Sequence, residues 1–183
     1  MKNPFLIGNK IYLRSLELED LSGNYVSWLN DPEVCRYNSH HFFQYTNQKA
    51  INYISKINNS FSEIVLAIIL SENNLHIGNI SLQNINLINR SAELAILIGD
   101  KNYWGKGIAK SSIKLLLDHG FLSLNLHRIY LGTPRENVSM QKIAIYFGMK
   151  NEGVKRDAFF KNGEFFDILD FAILQNEYLK KNN

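Results

Sequence analysis

The residues Tyr103-Trp104-Gly105-Lys106-Gly107-Ile108-Ala109-Lys110 carry the clearest chemical signal in this 183-residue sequence. Two glycines flank a lysine, between an apolar run and a helical pattern. A turn of that kind presents free backbone N–H groups and the positive end of a helix dipole, which together seat phosphate. Gly105 and Gly107 leave no Cβ where phosphate oxygens would approach the backbone. The N–H groups from Lys106 to Lys110 would point at a pyrophosphate, and the Lys106 and Lys110 side chains would add charge at the rim. A plain strand-to-helix turn, with glycine present for geometry alone, explains the same residues.

Two common phosphate motifs do not fit. A Walker A loop needs G-x-x-x-x-G-K-[ST]. Gly99 and Gly105 are one residue too far apart for it, and Gly107 rather than a hydroxyl follows Lys106. The dinucleotide fingerprint G-x-G-x-x-G requires glycine where Lys110 stands. Other reactive residue types are sparse. Cys35 is the single cysteine, so no internal disulfide forms, and no positioned base marks it as a nucleophile. The adjacent His40 and His41 cannot both face one metal from a regular element, and no partner has ligand spacing. No metal site is expected.

The elements that must hold the turn follow from hydrophobic period. Residues 11–16 alternate as a strand, and a helix is expected after Asp20 with Leu21, Tyr25 and Trp28. Asp31 as N-cap and Pro32 at the first position predict a short helix at "NDPEV". Thr46 caps a further helix carrying Ile51, Ile54 and Ile57. Residues 63–70, 76–85 and 91–99 read as three strands of an antiparallel meander. Residues 107–121 form a helix with Ala109, Ile113, Leu116 and Leu117 on one face. A strand at 128–133 and a short helix at 139–149, ending at Gly148, come next. Two last strands meet at Asn162-Gly163, a pair suited to a tight hairpin turn. The pattern is a mixed α/β (α+β) domain, one sheet layer with helices packed on it.

Composition agrees with one globular domain over residues 1–183. Apolar residues make up 45% and charged residues 20%. The net charge of +3 is dispersed along the chain, which suits an anionic ligand and argues against nucleic acid. The first residues lack the apolar core of a signal peptide, and the longest apolar run, Ile64 to Leu70, is too short to cross a bilayer. A cytoplasmic protein without a membrane partner is expected.

With "YWGKGIA" preceded by "AELAILIGD" and followed by "RIYLGTPRENVSMQKIAIYFGMKNEG", nearly the whole sequence resembles the GNAT superfamily of acetyl-CoA-dependent N-acetyltransferases. "IYLRSLELEDL", "WLNDPEV" and the closing "GVKRDAFFKNGEFFDILDFAIL" are similar to the Rim-type ribosomal-protein and bacterial aminosugar members. The resemblance implies a mostly antiparallel central sheet flanked by helices, with acetyl-CoA as cosubstrate. Trp104, Gly107 and Ala109 fall on the first, fourth and sixth places of the family's (Q/R)-x-x-G-x-(G/A) motif, so Trp104 departs from it. By resemblance the preceding strand splays from its neighbour at about Leu97 and Ile98 and binds the pantetheine arm there. Asn137 matches an asparagine near that arm. Met140 and Ala144 occupy the places of the family's usual Ser and Tyr, leaving the acid that protonates the departing thiolate unassigned.

Acetyl transfer needs a neutral amine, and a carboxylate can take its proton. Glu93, isolated in an apolar strand where the family often has Glu, is the candidate base; a solvent-facing strand Glu is the alternative. A backbone N–H near Ile98 would hold the oxyanion. The CoA set is Leu97, Ile98, Trp104, Gly105, Lys106, Gly107, Ile108, Ala109, Lys110 and Asn137. The acceptor is expected to be an aminosugar, free or nucleotide-linked, or a peptide N-terminus, handled by a monomer or homodimer. A non-catalytic acyl-CoA-sensing module is the competing reading.

Overall fold

In the computed structural model, which describes residues 1–182, eight strands share one sheet. They are β1 (Leu6–Ile7), β2 (Ile11–Ser15), β3 (Ile64–Leu70), β4 (His76–Asn86), β5 (Ser91–Ile98), β6 (Arg128–Pro134), β7 (Lys150–Lys161) and β8 (Glu164–Leu174). Their spatial order is β1-β2-β3-β4-β5-β6-β8-β7. Every neighbouring pair is antiparallel except β5 with β6. The helices are α1 (Tyr25–Asn30), α2 (Asn47–Ile57), α3 (Ile108–Asp118), α4 (Val138–Phe147) and α5 (Gln175–Asn182).

Strand alternation places helices on both faces. In β3, Leu66, Ile68 and Leu70 enter one core, while Val65, Ala67 and Ile69 enter another. A strand covered on both faces reads as an unbroken apolar run, which is what residues 64–70 are. The first core takes Ile113, Leu116 and Leu117 of α3, Ala144 and Phe147 of α4, and Tyr178 of α5. The second takes Tyr25, Trp28 and Leu29 of α1 and Ala50, Ile54 and Ile57 of α2. Full burial of each such aliphatic side chain stabilises the fold by about 2 kcal/mol.

Local signals end most elements where expected. Thr46 accepts from the Lys49 N–H at the start of α2. Gly148 closes α4 at φ +87°, and Asn162 and Gly163, both at positive φ, turn β7 into β8.

Two expectations fail and one element goes unforeseen. "NDPEV" makes no helix: Asp31 Oδ1 accepts from the Glu33 and Val34 N–H groups, but i→i+3 bonds at Arg36 and Asn38 then tighten the chain into turns. Ile51 is exposed, because the buried face of α2 runs through Ala50, Ile54 and Ile57 instead. The sequence reading also missed α5, whose polar residues hide one buried anchor, Tyr178.

A buried ion pair ties the second core together. Arg14 donates to both oxygens of Asp20, at 2.8 and 2.6 Å, and His76 Nδ1 lies 3.3 Å from the same carboxylate. Burial would raise the Asp20 pKa, but Arg14 and His76 outweigh it and hold the carboxyl well below the usual range.

Candidate active site

β5 and β6 pair only from Ser91 to Glu93, against Arg128 to Tyr130. Beyond Glu93 the two strands part. β5 stays on β4 through Ile98, while β6 turns its other edge to β8 through Pro134. Residues 94–98 therefore show one backbone edge to a cleft instead of a strand. The opening starts three residues earlier than the sequence placed it: Leu97 lies well inside the gap and Ile98 at its far end. Leu94 to Leu97 on one side and Leu131 to Pro134 on the other line a cavity of about 500 Å³.

The glycine turn stands at the far end of β5. Gly105 and Gly107 hold φ +72° and +79°, and nothing lies within 4 Å of where a Cβ would be on either. The positive φ, not crowding, demands glycine, and the space above the turn is open. Gly107 is the N-cap of α3 without a side-chain cap, so the first N–H groups of the helix face that space. Ile108 buries its side chain and Ala109 half-buries its own, so each offers a ligand its backbone N–H only. Trp104 turns inward: its indole N–H donates to the Ile98 carbonyl at 2.8 Å and the ring packs on the second core. It braces the end of β5. Lys106 lies near the Tyr103 ring, 5.2 Å from its centroid, and Lys110 near Tyr146 at 4.0 Å.

Glu93 lines the cleft at the residue where the strands separate, half-buried rather than on the outer surface. Its Oε2 accepts from the Asn84 side-chain amide at 3.0 Å. Asn84 sits at φ +51° within an irregularity of the β4–β5 pairing, a left-handed conformation that asparagine tolerates better than most residues. Asn79, Ser81 and Gln83 alternate along β4 and line the same cleft, with Gln83 opposite Glu93. That period-two run of polar residues was a readable signal, whereas the Asn84 contact was not.

Asn137 caps α4 by accepting from the Met140 N–H at 3.2 Å, and it lines the cleft with Met140. Ala144 is buried against the first core. Neither of the two residues at the usual Ser and Tyr places carries a proton to give.

The other end of the cleft is aromatic. Tyr25, Tyr37, Tyr45 and Tyr53 line it with Asn38, Ser39 and His40. Lys161, at the end of β7, fastens this wall: its ammonium donates to the carbonyls of Asn38 at 3.2 Å and His40 at 2.8 Å. No local pattern announces a contact that spans more than 120 residues. Cys35 is buried and donates to the Trp28 carbonyl, and burial pushes its thiol pKa up. Among the described residues no three His, Cys, Asp or Glu side chains could hold a metal ion.

A second hollow, about 650 Å³, adjoins the turn along α3. Lys110, Ser111 and Lys114 line it from α3, Tyr146 and Phe147 from α4, and Lys181 from α5. Lysines from two elements thus face one open groove beside the helix start.

Comparison with known proteins bears directly on this arrangement. The acetyltransferase (GNAT) domain family matches residues 10–150. The uncharacterized N-acetyltransferase p20 of Bacillus licheniformis is 34% identical over 176 residues, 94% of this chain and 97% of that one. The spermidine N(1)-acetyltransferase of Vibrio cholerae is 40% identical over 105 residues, which cover 57% of this chain and 60% of its own. A crystal structure of the Vibrio cholerae spermidine N-acetyltransferase with CoA and spermine superposes with a TM-score of 0.85 at 30% identity, covering 93% of this chain and 98% of that one. Another structure of that enzyme is dodecameric. No helix among the described residues is long and apolar enough to cross a membrane. The parted strands, the uncapped glycine turn and the family match converge: the chain belongs to the GNAT acetyltransferases, with acetyl-CoA as cosubstrate.

Proposed function

We propose that the protein moves the acetyl group of acetyl-CoA directly onto a primary amine, with Glu93 as the base. The observation that carries the reading is the position of Glu93, the last residue of β5 paired to β6 and the first carboxylate at the mouth of the gap. The pantetheine arm lies along the open edge of residues 94–97, replacing the strand contact that β6 gives up. The pyrophosphate sits on the N–H groups from Lys106 to Lys110, and the lysine-lined groove beside α3 takes the nucleotide end.

Glu93 accepts a proton from the incoming ammonium, directly or through water. The freed nitrogen lone pair attacks the thioester carbonyl carbon. A backbone N–H of the open edge holds the oxyanion, the attacking nitrogen gives its second proton to water, and collapse breaks the C–S bond. CoA leaves as thiolate or takes its proton from water, since Met140 and Ala144 have none to offer.

The acceptor classes brought by the family resemblance are an aminosugar, free or nucleotide-linked, and a protein N-terminus. The names of the similar enzymes add polyamines. We take the working unit as one domain acting as a monomer or homodimer in the cytoplasm. Thiol release from acetyl-CoA, measured against amine panels of these three classes, tests the activity. Acetyl-CoA binding without release for any amine would replace transfer with a sensing role.

A further inference from the structure

Charge is one-sided at the aromatic end of the cleft, which in the transfer reading lies away from the CoA turn and receives the acceptor. Glu93 is the single carboxylate lining the cavity among the described residues. The opposite wall offers the hydroxyls and ring faces of Tyr25, Tyr37, Tyr45 and Tyr53, with no acidic side chain. Two cations stand behind it. Lys161 is tied to the wall's own carbonyls and lies 4.3 Å from the Phe42 ring centroid, with no carboxylate partner among the described residues. Arg36 stands by the Tyr37 ring, 4.8 Å from its centroid.

Of the acids around this wall, three are already engaged. Asp31 and Glu33 are both held by Lys101, and Asp20 by Arg14. Glu63, just before β3, is the exception. It faces Tyr53 from outside the lining, and burial together with its charge pushes that phenol up to about 12.

We propose that the acceptor carries one positive charge: a single primary amine on an uncharged body bearing hydroxyl or amide groups. This inference rests on the acetyl-transfer reading and narrows its acceptor. One ammonium meets Glu93 and gives up its proton there. A second ammonium on the same molecule would leave water for a wall of neutral phenols backed by Lys161, with no countercharge to receive it. Hydroxyls and amides, by contrast, find donors and acceptors in the tyrosines, Asn38 and Ser39. The polyamines named for similar enzymes therefore fit this cleft poorly.

A matched pair of probes isolates charge from length: 4-aminobutan-1-ol and 1,4-diaminobutane, with spermidine as a third. For wild type, kcat/KM is expected to be about tenfold or more higher for the amino alcohol than for either polyamine, the loss of one well-paired charge. Ser39→Asp, which adds a carboxylate to the wall, is expected to raise turnover of the diamine. Glu63→Gln is expected to leave the diamine and the amino alcohol in the same ratio. Equal or better use of the diamine by wild type would overturn the proposal, as would a selective loss of diamine turnover in Glu63→Gln.

If no amine releases thiol, the transfer reading fails separately. Calorimetry of the same probes on the CoA-loaded protein then decides. Tighter binding of the amino alcohol supports a single-charge site, and tighter diamine binding, or none of either, overturns it.

Discussion

Asn84 holds Glu93: the asparagine amide, projected from a backbone at φ +51°, donates to Oε2 of this cleft-lining carboxylate at 3.0 Å. A side chain on a flexible arm is thereby fixed from the neighbouring strand. Asn84→Gly removes the donor without adding strain at positive φ, so it is the cleaner variant. It is expected to lower kcat by about tenfold, a typical effect of losing a charge-assisted hydrogen bond, with the KM for acetyl-CoA unchanged. Steady-state kinetics in both substrates checks this; a change confined to the acetyl-CoA KM would remove Asn84 from the reacting end.

Glu93→Gln keeps the shape and the Asn84 side within reach while removing the proposed base. Turnover is expected to fall by about a hundredfold or more, with acetyl-CoA affinity retained. Rate measurements across pH, beside calorimetric titration with acetyl-CoA, separate the two. Unchanged turnover at every pH would clear Glu93 of the role.

At Gly107 the fold and the ligand ask different things. Alanine there would be strained at φ +79° by about 1–2 kcal/mol, while its methyl would meet no protein atom within 4 Å. It would occupy the space assigned to phosphate. The expected result is a modest loss of stability in urea and a much larger rise, about tenfold or more, in the KM for acetyl-CoA. Equal affinity in a stably folded Gly107→Ala would mean that the turn is geometry alone.

The groove of Lys110, Lys114 and Lys181 predicts discrimination at the nucleotide end. Lys110→Ala is expected to raise the KM for acetyl-CoA several-fold and to leave the KM for the dephospho analogue, which lacks the ribose phosphate, nearly unchanged. An equal rise with both would place the lysine's role at the pyrophosphate.

Asp20 links stability to acid. Its folded pKa lies below the unfolded value of about 3.9, so its contribution is complete above that pH and fades as pH falls further. Asp20→Asn strands the buried Arg14 and is expected to cost about 3 kcal/mol near neutrality. Urea unfolding of both proteins at neutral pH and at about pH 3 should show the gap narrowing in acid.

Much of this was legible in residue order. The unbroken run of β3, the Thr46 cap, the Gly148 stop and the Asn162-Gly163 turn are local choices, and local chemistry decided each. The glycine turn was legible for the same reason, since positive φ is a property of two residues. Glu93 stood out because a lone carboxylate in an apolar strand is conspicuous. What stayed hidden was set by partners far away. That β5 would abandon β6 after Glu93 depends on β6 finding β8. Trp104 reads as a motif residue until its indole is seen spent on Ile98. The "NDPEV" helix failed although its cap formed, because the chain had to turn back and build the cleft wall. Lys161 reaches that wall from the last hairpin, and nothing near it in sequence says so.

The open edge of residues 94–98 has one more consequence. A sheet with an interior gap is an unfinished structure, and in the proposed reading the cosubstrate arm is the piece that finishes it. Loading and folding then share one equilibrium, in which free acetyl-CoA adds RT ln(1 + [L]/Kd) to the stability of the chain. Amides along that edge should exchange with solvent quickly in the empty protein and slowly in the loaded one. The protein would thus be sturdiest when acetyl-CoA is plentiful, and its survival against proteolysis would report the supply of its own donor.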